Sequence, residues 1–257
     1  MNLQITNKCF IVCGSTSGFG KAIALQLVAE GANIIAIARG KEKLEELKNL
    51  QTSHITILEG DITQLETIEK LRKLIENKTI EGVVVNAGGP PAKTVLETSL
   101  EDWDNAYNSL LKWKVALVQM LLPKMIENNY GKIVFIESSS VKQPIENLVL
   151  STSLRLAVVG FAKTLAQEVA KHNITVNILA PGSHNTPAIE RLYNKKVEQT
   201  GLSFNEVKAA AIQQIPLQQL GEAEDFASLA LWLLSPLSKF VTGQTYAVEG
   251  GVVKSSL

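Results

Sequence analysis

A chain of 257 residues, 46% hydrophobic and 19% charged, carries enough apolar material for a substantial core and fits one α/β domain more simply than two small ones. Its 25 Lys+Arg balance 25 Asp+Glu at a pI near 6.9, which leaves no global field to draw in nucleic acid or an anionic membrane. No apolar run is read as approaching the ~20 residues of a membrane span, and the opening MNLQITNK lacks the charged-then-apolar order of a signal peptide, so a soluble cytoplasmic protein is expected.

Short β-branched runs recur between helix-length amphipathic stretches: Cys9 to Cys13, Asn33 to Ile37, Ile55 to Leu58, Gly82 to Asn86, Lys132 to Ile136, Ile174 to Leu179 and Gln244 to Val248. Strands alternating with helices imply right-handed βαβ crossovers. The expected fold is therefore α/β, a Rossmann-type doubly wound, seven-stranded parallel sheet with helices on both faces, forming a single domain over 1–257. Cys9 and Cys13, four apart on one strand, stand roughly 13 Å apart at strand rise, beyond disulfide reach; they read as core thiols of a reducing compartment. In the stretch from about Ser151 to Lys171, Val158, Ala162, Leu165 and Val169 recur at helical spacing, with Lys163, Gln167 and Lys171 on other faces, which is the pattern of a packed helix. The stretch from Pro181 to about Pro216 breaks the alternation, and 182–216 is expected to be a substrate lid.

Strand Cys9 to Cys13 runs into Gly14, Ser15, Thr16, Ser17, Gly18, Phe19 and Gly20 before a helix opens at Lys21. Glycines there let the backbone turn tightly against a pyrophosphate while the helix N-terminus offers unpaired N–H groups and a favourable dipole. Three glycines in a loop are weak evidence alone; between the first strand and first helix of an α/β chain they are strong. The spacing is Gly-x-x-x-Gly-x-Gly, and here the chain resembles the short-chain dehydrogenase/reductase family. By that resemblance Asp61 and Ile62 sit beside the adenine, Asn86, Ala87 and Gly88 form the turn beside the cofactor, and Pro181, Gly182 and Thr186 belong to the segment covering the nicotinamide. Thr242-Gly243-Gln244 and Glu249-Gly250-Gly251 are similar to the family's C-terminal signatures.

Cofactor choice turns on the end of the second strand, where an NAD-binding member would place a carboxylate against the ribose hydroxyls. That position is Ala38, followed by Arg39. A carboxylate repels a 2′-phosphate, whereas a guanidinium grips it, so NADP is favoured over NAD. The competing reading of Arg39 is an ordinary solvated charge at the start of the next helix.

The family's catalysis, by resemblance, uses a tyrosine acid, a lysine, a serine and an asparagine. Ser138 matches the serine, or else is a hydroxyl capping local backbone. Thirteen residues on, at the tyrosine position, stands Ser151, and four further, at the lysine position, stands Arg155. That spacing keeps the pair on one helical face, but a serine is a far poorer proton donor than a phenol of pKa about 10, and Arg155 stays charged at any working pH. The asparagine position is Leu110; Asn108 lies about 200° round the helix and cannot stand in. The chain thus looks like a divergent branch resembling β-ketoacyl carrier-protein reductases. His184 and Tyr193, after Pro181-Gly182, are candidates for a substitute acid, or are incidental loop residues.

The expected function is NADP-dependent hydride transfer on a carbonyl/alcohol pair of a small molecule, with a noncanonical catalytic site built from Ser138, Ser151 and Arg155. Two other readings stand beside it. One is a catalytically impaired NADP-binding protein with a structural or regulatory role; the other is a different reaction on the same scaffold, such as epimerisation or dehydration of an acidic substrate held by Arg155. No metal, nucleic acid or membrane partner is expected. The helices Asn105 to Met125 and after Ser151, with the C-terminal Ala247 to Leu257, resemble family interfaces that build a homodimer or homotetramer.

Overall fold

The computed structural model describes residues 2–51 and 53–256. Seven strands, β1 (Cys9–Cys13), β2 (Asn33–Ala38), β3 (Ile55–Glu59), β4 (Gly82–Val85), β5 (Gly131–Ile136), β6 (Ile174–Pro181) and β7 (Thr245–Val248), form one sheet in the order β3-β2-β1-β4-β5-β6-β7. Every pairing is parallel. Such a sheet must be covered on both faces, which is why β1, β4, β5 and β6 are near-continuous apolar runs rather than alternating ones.

Alternate residues of the strands feed two cores. Phe10, Val12, Ile34 and Ala36 pack with α1 (Gly18–Ala29), α2 (Lys41–Leu50) and α9 (Ala223–Leu234). Ile11, Ile35, Val83 and Phe135 pack on the other face with α3 (Leu65–Leu74), α5 (Trp113–Glu127) and α6 (Val149–Val169). Chain order reverses between β1 and β4, and in open α/β sheets ligands bind outside the carboxyl ends of the strands at such a switch point. The glycine loop after β1 and the Asn86-Ala87-Gly88 turn after β4 both end there.

Three features depart from the sequence reading. Helix α6 continues as a 3₁₀ turn to His172, and Val149–His172 is long and apolar enough by length and composition to cross a membrane, contrary to the expectation that no such run exists. Its apolarity has another cause: Val158, Ala162, Leu165 and Val169 form the stripe buried against the sheet. The stretch 182–216, expected to be a substrate lid, carries two helices that the sequence reading did not place, α7 (Pro187–Thr200) and α8 (Phe204–Gln213). Pro187 opens α7, Gly201 ends it in the left-handed conformation, and Ser203 with Glu206 forms a capping box on α8. Finally, α4 (Leu100–Tyr107) joins α5 through a π turn, Asn108–Lys112, whose Leu110 is buried. Cys13 is buried as expected, whereas Cys9 at the strand start is only half-buried; both are free thiols, and burial is the main cause that pushes them up to about 12 and about 11.

Candidate functional site

At the switch point the loop from Gly14 to Gly20 lies against Asn86, the residue that follows β4. Gly14 and Gly18 take positive φ, and a Cβ on Gly20 would stand 2.2 Å from the Gly14 carbonyl oxygen, so the crossing closes only with glycine there. Ser17 begins α1 without capping it, and no acidic residue occupies the first turn. The helix thus presents unpaired N–H groups and its positive end to an anion. Ser15 is fully buried and its hydroxyl donates to the Ile37 carbonyl on β2, which fixes the loop rather than facing outward. Thr16 and Phe19 are partly exposed. Asn86 donates from Nδ2 to the Cys13 carbonyl, tying the two sides of the crevice together.

Ala38 ends β2 buried, and Arg39 beyond it is exposed, with no ion pair among the described residues. Asp61 accepts from the Thr63 backbone N–H and hydroxyl, so part of its carboxylate is spent on its own turn, and Ile62 behind it is buried. Pro181 and Gly182 lie where β6 leaves the sheet, with Gly182 donating to Val248 of β7. A Cβ on Gly182 would stand 2.6 Å from Glu249 Cβ, while Thr186, at the start of α7, lies beside Gly18. The glycine loop and the segment after β6 therefore meet across one crevice.

The two candidate acids occupy different surroundings. His184 is buried edge-on to Phe19 and Phe226, its Nδ1 pairs with the Gly182 carbonyl, and burial pushes its pKa down. The imidazole is a packing element under the loop rather than a group on an open lid. Tyr193 is also buried, against Phe204, but its hydroxyl makes no well-formed hydrogen bond; burial pushes the phenol up, with the Ser183 hydroxyl opposing.

Ser138 is half-buried, and its Oγ accepts from the Ser140 N–H at the start of a 3₁₀ turn, which is the capping alternative; its own hydrogen is left to donate. Ser151 and Arg155 are adjacent on α6 as their spacing requires. Arg155 Nε donates to Ser151 Oγ at 3.1 Å, and Nη1 donates to the Ile136 carbonyl at 3.3 Å and to Glu137 Oε2 at 2.9 Å. The other oxygen of Glu137 takes a short hydrogen bond from Lys114 Nζ on α5. Lys114, Glu137 and Arg155 are all buried, so they form an ion-paired cluster drawn from α5, the residue after β5 and α6; Leu110, where the resemblance places an asparagine, is buried as well.

Glu137 and Lys114 are absent from the sequence-derived site. Lys114 had a readable signal: it falls in phase with Leu110, Leu117, Val118 and Leu121, a charge on the apolar stripe of its helix. Glu137 follows six buried strand residues and precedes three serines, a position with no periodic cue.

The fold and crevice define a doubly wound nucleotide-binding protein of one domain. The sequence model of a family described as enoyl-(acyl carrier protein) reductase matches residues 14–253. The 3-oxoacyl-(acyl carrier protein) reductase of Thermotoga maritima is 30% identical over 256 residues, covering 98% of this chain and 100% of its own. That of Aquifex aeolicus is 31% identical over 258 residues, with coverage of 98% and 100%. L-Sorbose reductase from Gluconobacter frateurii, solved with NADPH and L-sorbose, superposes with a TM-score of 0.92 at 27% identity, covering 99% of this chain and 100% of its own. The chain belongs to the short-chain dehydrogenase/reductase family.

Proposed function

We propose that the protein is an NADP-dependent oxidoreductase that interconverts a carbonyl and an alcohol, with a site that handles the proton differently from its relatives. The observation that carries this reading is the anion cradle at the free end of α1, with exposed Arg39 and no carboxylate at the end of β2. Gly14 to Gly20 would take the pyrophosphate, Arg39 the 2′-phosphate, Asp61 and Ile62 the adenine side, and Asn86 to Gly88 with Pro181, Gly182 and Thr186 the nicotinamide side. NADPH, when bound, supplies the hydride. NADPH-bound L-sorbose reductase and the two carrier-protein reductases support the cofactor and the reaction class. Arg39→Ala should weaken NADPH binding by about 1–3 kcal/mol, the range for hydrogen bonds to charged groups, and leave NADH unchanged. Calorimetry with both cofactors checks this, and equal wild-type affinity for the two refutes the preference.

Ser151 orients and donates one hydrogen bond rather than supplying the proton. Ser151→Ala should therefore slow turnover by no more than about tenfold, the size of one neutral hydrogen bond, where loss of a general acid costs about 10²-fold or more. Both candidate donors are buried; Tyr193 is the one whose hydroxyl makes no well-formed hydrogen bond, whereas the His184 ring is paired to the Gly182 carbonyl and packed between two phenylalanines. Turnover in Tyr193→Phe should fall about 10²-fold with folding unchanged; an undiminished rate removes Tyr193 from the reaction. Helices α7 and α8 form the lid that sets the substrate.

The assembly we propose is a homodimer or homotetramer with closed symmetry. Tyr107, within the stretch Asn105 to Met125, and Leu156 on α6 are exposed apolar side chains on the segments that resemble family interfaces. Light scattering at micromolar concentration should give a dimer or tetramer; a monomer contradicts the assignment. The cytoplasm is the proposed setting, consistent with two free thiols.

A further inference from the structure

The buried cluster of Lys114, Glu137 and Arg155 contains two cations and one anion, a net charge of +1 held out of water. Both Glu137 oxygens are committed, one to Lys114 and one to Arg155. Buried charge without a counterion is costly, and the donor inventory shows where a counterion would go. Arg155 uses Nε and Nη1 on Ser151, Ile136 and Glu137, while Nη2 has no hydrogen-bond acceptor among the described residues. A Cβ on exposed Gly89 would lie 3.3 Å from Nη2, so this end of the guanidinium reaches the wall beyond the Asn86-Ala87-Gly88 turn. Gly89 and Leu150, the residue before Ser151, also line a cavity of about 740 Å³. Ser151 Oγ accepts from Arg155, and its hydrogen is unspent. The open edge of the cluster therefore offers two donors, Arg155 Nη2 and the Ser151 hydroxyl, backed by an excess positive charge.

We propose that Arg155 Nη2 and the Ser151 hydroxyl bind a carboxylate of the substrate, and that Glu137 and Lys114 are positioning residues that hold the guanidinium and supply the uncompensated charge. The substrate class is then a small oxo or hydroxy acid with a free carboxylate, rather than a neutral ester or thioester. This rests on the reading of the crevice as the site of a carbonyl/alcohol oxidoreductase. A guanidinium fits the role better than an ammonium because it can be gripped from one side by Glu137 and Ser151 and still present N–H groups on the other.

The cluster also gives the site a pH dependence. Burial holds Lys114 down to about 8, and the neighbouring Arg155 charge adds to that, while Glu137, just after β5, opposes it. These are the charged groups that the packed elements bring to Lys114, with the Trp113 ring beside its ammonium. As pH rises through about 8 the cluster falls from +1 to neutral, and carboxylate binding should weaken over the same range.

Calorimetry on the NADPH-saturated protein, with acetate, pyruvate, acetoacetate and methyl acetoacetate as probes, tests the assignment. Acetoacetate should bind at least tenfold more tightly than its methyl ester at pH 7, and the preference should shrink by pH 9. Arg155→Met should abolish it and Arg155→Lys restore part of it. Lys114→Met should reduce the preference at pH 7 and remove its pH dependence, a change that a merely structural lysine would not cause. Equal affinity for acid and ester, an unchanged preference in folded Arg155→Met, or no saturable binding of any of the three acids up to tens of millimolar overturns the proposal. Should NADPH itself fail to bind, the same acid-to-ester comparison on the cofactor-free protein separates failure of the functional reading from failure of this one.

Discussion

Replacing Glu137 by glutamine should cost about 3–5 kcal/mol of stability, the range for breaking a buried ion pair by removing one partner. The reason is that Lys114 and Arg155 would be left as two buried cations with no anion between them. At roughly 2–4 °C per kcal/mol for a chain of this size, the thermal midpoint should drop by about 6–20 °C. Lys114→Met should cost far less, because Glu137 keeps Arg155 and the methionine fills the space. The two variants also differ in pH response. Lys114 is held near 8 in the folded protein against its ordinary 10.5, so the unfolded chain binds the extra proton between those values. Its destabilising contribution is full below about pH 8 and fades as pH rises toward 10.5. The stability of the wild type relative to Lys114→Met should therefore rise across that window. A Glu137→Gln midpoint within about 2 °C of wild type would show that the cluster does not carry the charge assigned to it.

Gly20→Ala should abolish tight NADPH binding, by at least about 100-fold, or 2.7 kcal/mol. The new methyl carbon would lie 2.2 Å from the Gly14 carbonyl oxygen and 2.7 Å from its carbonyl carbon, and both are backbone atoms that cannot swing aside. Relieving the clash displaces the loop that turns the chain from β1 into α1, so the anion cradle is lost along with about 1–3 kcal/mol of stability. Gly160→Ala is the control: this exposed position inside α6 has nothing within 4 Å of a Cβ, and alanine should stabilise the helix by about 0.8–1.0 kcal/mol. Titration of NADPH into both variants measures the difference. Undiminished binding in Gly20→Ala would place the nucleotide elsewhere.

The sheet was legible because a buried parallel strand has to be an apolar run and a crossover helix has to show a stripe; all seven strands fall within two residues of their sequence-derived ends. The glycine crossing was legible for a similar reason, since only glycine permits it. What the sequence concealed is burial of charge. Lys114 and Glu137 are far apart in sequence and meet only through packing of α5 on β5, and nothing local to Glu137 marks it as an ion-pair centre. Ser138 illustrates the converse: the sequence left its hydroxyl between catalysis and capping, and the 3₁₀ turn that occupies its oxygen is a matter of backbone geometry. His184 could not be placed for the same reason, because its aromatic surroundings come from α1 and α9, more than thirty residues away in either direction. Helices α7 and α8 were readable in principle from Pro187, Gly201 and the Ser203–Glu206 box, signals that local propensity supplies without tertiary help.

The central claim is that this scaffold performs NADPH-linked chemistry without a phenol at the position of Ser151. Following NADPH absorbance with the wild-type protein and a panel of small oxo acids, together with ketones that lack a carboxylate, tests it most directly. The account predicts stoichiometric consumption of NADPH and appearance of the alcohol with at least one oxo acid. Tight NADPH binding with no turnover of any carbonyl on the panel would contradict it.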